Sequence, residues 1–169
     1  MIKTVEKEVK QEVKLLEKHS KLSLHYWTGH SFEWYLRVSL KPLIYLTIVN
    51  MVVTAFGTHA TTSQVTSAVF IPLVFLAEII TYGWLGASVY IHSGTKTLPL
   101  GMRWATAMIS GAITGLGVGL MMTFFRIFWY REFWTFLNII TEPAIRLIEG
   151  LVVAGLMAFL TAVALKYRR

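Results

Sequence analysis

Nine glutamates are the only side-chain carboxylates in this chain of 169 residues, which has neither aspartate nor cysteine. Two of them, Glu78 and Glu149, stand inside long apolar stretches. A carboxylate held in a bilayer costs several kcal/mol unless it is neutralised, paired or wetted, so such a group is a candidate functional residue by default. Three chemistries are open to Glu78: proton relay, cation binding, and a hydrogen bond that joins helices or subunits. Glu149 has Arg146 three residues before it on the same helix face, and this local pair is a sufficient structural explanation for both. Arg126 can join them at the end of the preceding stretch. Asn50 is the remaining buried-type amide able to bridge between helices.

The absences narrow the chemistry. Without cysteine there are no disulfides, thiolate metal sites, iron–sulfur clusters or cysteine nucleophiles. Without aspartate, Asp-based triads and most magnesium-dependent phosphoryl-transfer sites are removed. His19, His25, His30, His59 and His92 all avoid the depth of the apolar stretches, so a haem between membrane helices finds no histidine ligands there. His25, His30 and Glu33 come nearest to metal-donor spacing, but a metal site needs three or four convergent donors, and no metal is assigned. No lysine lies in mid-stretch, and no glycine-rich loop joins a strand to a helix. The expectation is a protein without catalytic residues or cofactors.

The most specific pattern is one of small residues. Ala107, Gly111, Gly115 and Gly119 recur every four positions, with Gly117 added, and Gly150, Ala154, Ala158 and Ala162 repeat the spacing further on. Residues four apart share one face of a helix. Such a stripe lets a second helix backbone approach closely, which is how helices associate in lipid. The ladders are expected to pack on each other or on copies in an oligomer; a channel wall is the sharper alternative.

These residues must be positioned by membrane helices. Apolar residues make up 55% of the chain and charged residues 15%, against roughly 45–50% and about 25% in a soluble domain. Four stretches, 36–57, 67–91, 104–128 and 144–165, are long enough to cross a bilayer, with almost no polar face. The fold class expected is an all-α integral membrane protein, its four-helix domain covering 31–169. Residues 1–30 form a charged amphipathic helix and linker, with Ile2, Val5, Val9, Val13 and Leu16 on one narrow stripe. That arm is read as lying on the membrane surface or docking to a partner. Ser31 is placed to cap the first spanning helix, with Glu33 in its first turn. Pro42 and Pro72 should kink their helices. Aromatic residues crowd 124–136, and an interfacial segment is expected over 129–142, with Pro143 opening the fourth span.

Basic residues set the orientation. Thirteen lysines and arginines fall on the side of the two termini and three, Arg126, Arg131 and Arg146, on the other. This bias predicts a multi-pass cell-membrane protein with both termini cytoplasmic. It also accounts for a net charge of +7 without nucleic acid as a partner.

The stretch Phe75-Leu76-Ala77-Glu78-Ile79-Ile80-Thr81-Tyr82-Gly83 resembles the carboxylate helix of rotary-ATPase proteolipids, which are also short multi-span hairpins with a glycine-rich helix. The Tyr-Gly pair stands one position too close to the glutamate, the glycine ladder is on the third span, and the arm and aromatic segment are additional. The likeness stays confined to this stretch, and no family is assigned from it. Two functions are expected from the residues. The first is a non-enzymatic subunit that assembles with itself or with a larger membrane complex through the ladders. The second is a homo-oligomeric channel or proton/cation transporter using Glu78. The lipid bilayer is the common partner.

Overall fold

A computed structural model describes residues 30–59, 64–93, 100–130 and 136–167, and all but the ends of these segments is helical. The charged arm, 1–29, lies outside the described residues. The helices are α1 (Phe32–His59), α2 (Gln64–His92), α3 (Leu100–Tyr130) and α4 (Phe136–Tyr167). Each contains a segment long and apolar enough to cross a membrane: Phe32–Ala55, Pro72–His92, Gly101–Phe128 and Ile139–Tyr167. The architecture is therefore that of an all-α membrane protein.

The helices start and stop for local reasons. Ser31 caps α1: its Oγ accepts from the Trp34 amide at 3.4 Å, and its carbonyl accepts from the same amide at 3.1 Å. Glu33 sits in the first turn and pairs with Arg37 one turn on, at 2.8 Å. Pro42 and Pro72 lie inside continuous helices. Pro143 does not open α4 but sits within it, because the helix begins at Phe136. Its ring is buried where Gly119 of α3 leaves room against its Cα and N. Helix thus replaces both ends of the segment expected to lie flat at 129–142. The side chains of 129–138, which hold much of that aromatic run, lie outside the described residues.

The surface is inside-out. Leu36, Leu40, Ile44, Ile48 and Val52 form a ridge of four-residue steps along α1, each about half exposed, and Ile145, Ile148, Val152, Leu156 and Phe159 form one of three- and four-residue steps on α4. Burying a large aliphatic side chain is worth about 1.5–3 kcal/mol in water, so faces of this kind belong against lipid or another helix. Trp84 also points outward, at 60% exposure, and is not a core aromatic.

The interior is layered. Helices α3 and α4 are the tightest pair, and α2 packs on both. Glycine positions give the register. In the antiparallel α3–α4 pair a Cβ at Gly111 would meet the Gly150 carbonyl, one at Gly115 the Arg146 carbonyl, and one at Gly119 the Pro143 backbone. Helices α2 and α4 run parallel. The 68-residue offset that brings Glu78 to Arg146 also brings Tyr82 to Gly150 and Gly86 to Ala154. Three stacked layers follow: Glu78–Arg146–Gly115, Tyr82–Gly150–Gly111, and Gly86–Ala154 beside buried Ala107. The ladders therefore meet each other inside one chain.

Thr106, Ser110 and Thr114 form a second four-step stripe on α3. All three are buried, and each hydroxyl donates to the carbonyl one turn earlier, at 2.7–2.9 Å. This satisfies the hydroxyls without a partner from another helix. Ser39 of α1 donates to the Ser110 carbonyl at 3.2 Å and ties α1 to this stripe. At the N-terminal end of α1, His30 stacks on Trp34 with centroids 3.9 Å apart and lies 3.3 Å from the Ser93 carbonyl.

Candidate functional site

Four polar residues singled out separately by their positions come together in one cluster. Glu78, the middle residue of the 29-residue α2, is 3% exposed. Its Oε1 accepts from Asn50 Nδ2 of α1 at 3.1 Å and from Arg146 Nη1 of α4. Arg146 Nη1 also donates to Glu149 Oε2 at 3.0 Å, and its Nη2 donates to Asn50 Oδ1 at 3.3 Å. Asn50 is thus used on both sides of its amide, and Nδ2 makes a second bond to the Leu46 carbonyl at 3.0 Å. The expected Arg146–Glu149 pair is present, but it is one edge of a network spanning three helices.

Geometry explains why the network forms there. Glu142, Arg146 and Glu149 follow one another on one face of α4 at helical spacing. Gly115 of α3 lies against the Arg146 backbone, so α4 comes close enough to send the guanidinium across the bundle toward α2 and α1. A guanidinium is the cation suited to this place, since its fork can serve several acceptors at once.

Two further members were not singled out from the sequence. Glu142 pairs with Arg146 Nε at 3.6 Å and with Arg126 Nη1 at 3.8 Å, so Arg126 joins the network through it. The signal was available, because a Glu four residues before an Arg is the favourable orientation on a helix. Tyr82 is fully buried, and its hydroxyl has no hydrogen-bond partner among the described atoms. It follows Glu78 by one turn, and helical side chains lean toward the N-terminus, so its ring leans toward the carboxylate.

Exposure falls from rim to centre: Arg146, Glu142 and Glu149 each keep 18% of their side-chain surface accessible, whereas Glu78 is closed off. The arrangement can hold charge in an apolar bundle, with its outer side chains partly accessible and Glu78 enclosed. Among the described residues no group of three or more His or acidic side chains has the geometry of a metal site.

The ladder residues touch this chemistry at two points, Gly115 against the Arg146 backbone and Gly150 against the Tyr82 ring, and otherwise stand apart from it. Ala154, Ala158 and Ala107 are fully buried, Gly111 and Gly150 face each other, and Ala162 is half-buried at the far end. Beyond them the Trp104 indole donates to the Gly155 carbonyl at 2.8 Å, closing the α3–α4 seam at that end. No protein-family profile, curated protein or solved structure matches the chain.

Proposed function

We propose that this chain is a small non-enzymatic membrane protein, both termini cytoplasmic, that handles protons or small cations through Glu78. The observation that carries the reading is the convergence of Glu78, Arg146, Glu149 and Asn50 from three helices at a mid-bundle position. A set of ionised groups at this depth is expensive to maintain, and replacing such a network by apolar side chains is often neutral or stabilising. Its presence therefore calls for a use beyond holding the helices together. Reconstitution into liposomes loaded with a pH-sensitive dye, under imposed proton, sodium and potassium gradients, tests the reading. Dissipation of one gradient by the native chain, lost in a folded Glu78→Gln variant, is the expected result. A native chain that dissipates none of them sinks it.

A second reading, a subunit that assembles with itself or with a larger membrane complex, rests on a different surface from the ladders. Because the ladders are occupied within the chain, its supporting observation is the half-exposed aliphatic ridge of α1, Leu36 to Val52. Native mass spectrometry in mild detergent separates the readings by copy number and by any partner retained.

A further inference from the structure

We infer that the cluster is a binding site for one proton, shared between the carboxyls of Glu78 and Glu149 and bounded by the Tyr82 hydroxyl. This deepens the charge-handling reading and rests on it for the use of the site, though not for its occupancy.

Charge arithmetic comes first. Among the described residues the network holds three carboxylates, Glu78, Glu142 and Glu149, against two guanidiniums, Arg126 and Arg146. One positive charge is missing. Glu142 has both Arg126 and Arg146 within reach, whereas Glu78 and Glu149 pair with Arg146 alone among the described residues, so the deficit falls on Glu78, Glu149 and Arg146. Glu78 Oε1 and Glu149 Oε2 both accept from the same nitrogen, Arg146 Nη1. Two carboxylates held on one nitrogen repel each other, and a shared proton removes that repulsion.

Tyr82 is the independent observation. A buried phenol normally finds a partner, because an unsatisfied hydroxyl costs on the order of 1–3 kcal/mol. The Tyr82 hydroxyl has none among the described atoms, and its ring edge lies against Gly150, the residue that follows Glu149. Gly150 permits this, since its missing side chain leaves space for the Tyr82 ring edge. A phenol can donate to a carboxylate and accept from a carboxylic acid, which suits a place beside a group that holds a proton. The groups facing the site are Asn50 from α1, Tyr82 from α2, Arg126 from α3, and Glu142 and Arg146 from α4. A proton satisfies the charge count beside the Arg146 guanidinium, whereas an alkali ion would need a shell of oxygens free of that cation.

Infrared spectroscopy of the full chain in lipid, in neutral sodium-free buffer, reads the proton through the C=O stretch of a protonated carboxyl. One such band is expected in the native chain. It should disappear in Glu149→Gln and equally in Glu78→Gln, each of which balances the charges, so either folded variant suffices. In Tyr82→Phe it should persist at a shifted frequency. Absence of the band from the native chain overturns the inference, as does its loss on adding sodium, which assigns the site to an alkali cation. A band that behaves as expected in a chain without proton flux upholds the site and removes only the transport reading. Flux without a band removes the site alone.

Discussion

Arg146 holds the network together at the scale of single residues. It bonds Glu78, Glu149 and Asn50 and pairs with Glu142, so four side chains depend on one guanidinium. Removing one partner of a buried ion pair costs about 3–5 kcal/mol, because the other charge is left uncompensated. Arg146→Met should therefore destabilise the bundle by about that amount, measured by denaturation in mild detergent. Adding Glu78→Gln to Arg146→Met should restore part of the loss, with a coupling of about 0.5–3 kcal/mol. Strictly additive effects would show that the two side chains act independently. Each of these residues could be picked out from the sequence as a polar group in an apolar setting. What could not be read was the meeting of Arg146 with Glu78, 68 residues apart, since the α2–α4 register is set by packing rather than by local spacing. The local alternative, Arg146 with Glu149, was legible because both lie on one helix face. Tyr82 enters the sequence reading only as half of the Tyr-Gly pair, since a tyrosine in a span looks like any other apolar aromatic until its hydroxyl is found buried without a partner among the described atoms.

At the scale of helices, the glycines of α3 differ in what they face. A Cβ on Gly115 would run into the Arg146 carbonyl, a backbone atom that moves only if α4 moves. A Cβ on Gly117 would meet Leu43 Cδ1 of α1, the far end of a side chain with other rotamers. Alanine in place of a helical glycine gains about 0.5–1 kcal/mol from propensity, and forced overpacking loses about 1–3 kcal/mol. Gly115→Ala should therefore be destabilising by about 1–2 kcal/mol and should loosen the Arg146 network. Gly117→Ala should be close to neutral. Thermal unfolding of the two variants in the same detergent makes the comparison, and equal losses would contradict the layered register. The four-step spacing was plain in the sequence, but whether the stripes faced each other or a second copy was not, because the stripe describes a face and not its occupant. The helix limits differed for a related reason. Hydropathy marks where a chain prefers lipid, whereas the backbone ladder of α4 starts at Phe136 and continues through Pro143.

At the scale of the whole molecule, the four-helix count and the charge bias combine into one prediction about sidedness. The α1–α2 pair is antiparallel, with Asn50 beside Glu78 at one level and His30 beside Ser93 at the other. The α3–α4 pair is antiparallel through the glycine register. Four crossings would return the chain to its starting side, and the lysines and arginines of the arm, of 93–103 and of the C-terminus belong in sequence to that side. Positive residues in short loops are retained on the cytoplasmic side. The end of the charge cluster that carries Glu142 and Arg126 would then face away from the cytoplasm, and under the charge-handling reading protons would reach Glu78 from that side. The absence of cysteine makes the sidedness directly measurable, since any introduced thiol is unique. A membrane-impermeant maleimide added to intact cells should label Ser63→Cys, between α1 and α2, and should reach Ser23→Cys only after the membrane is opened. The reverse pattern would invert the molecule and place the rim toward the cytoplasm. The proton-binding chemistry would stand, but the side from which it is supplied would change.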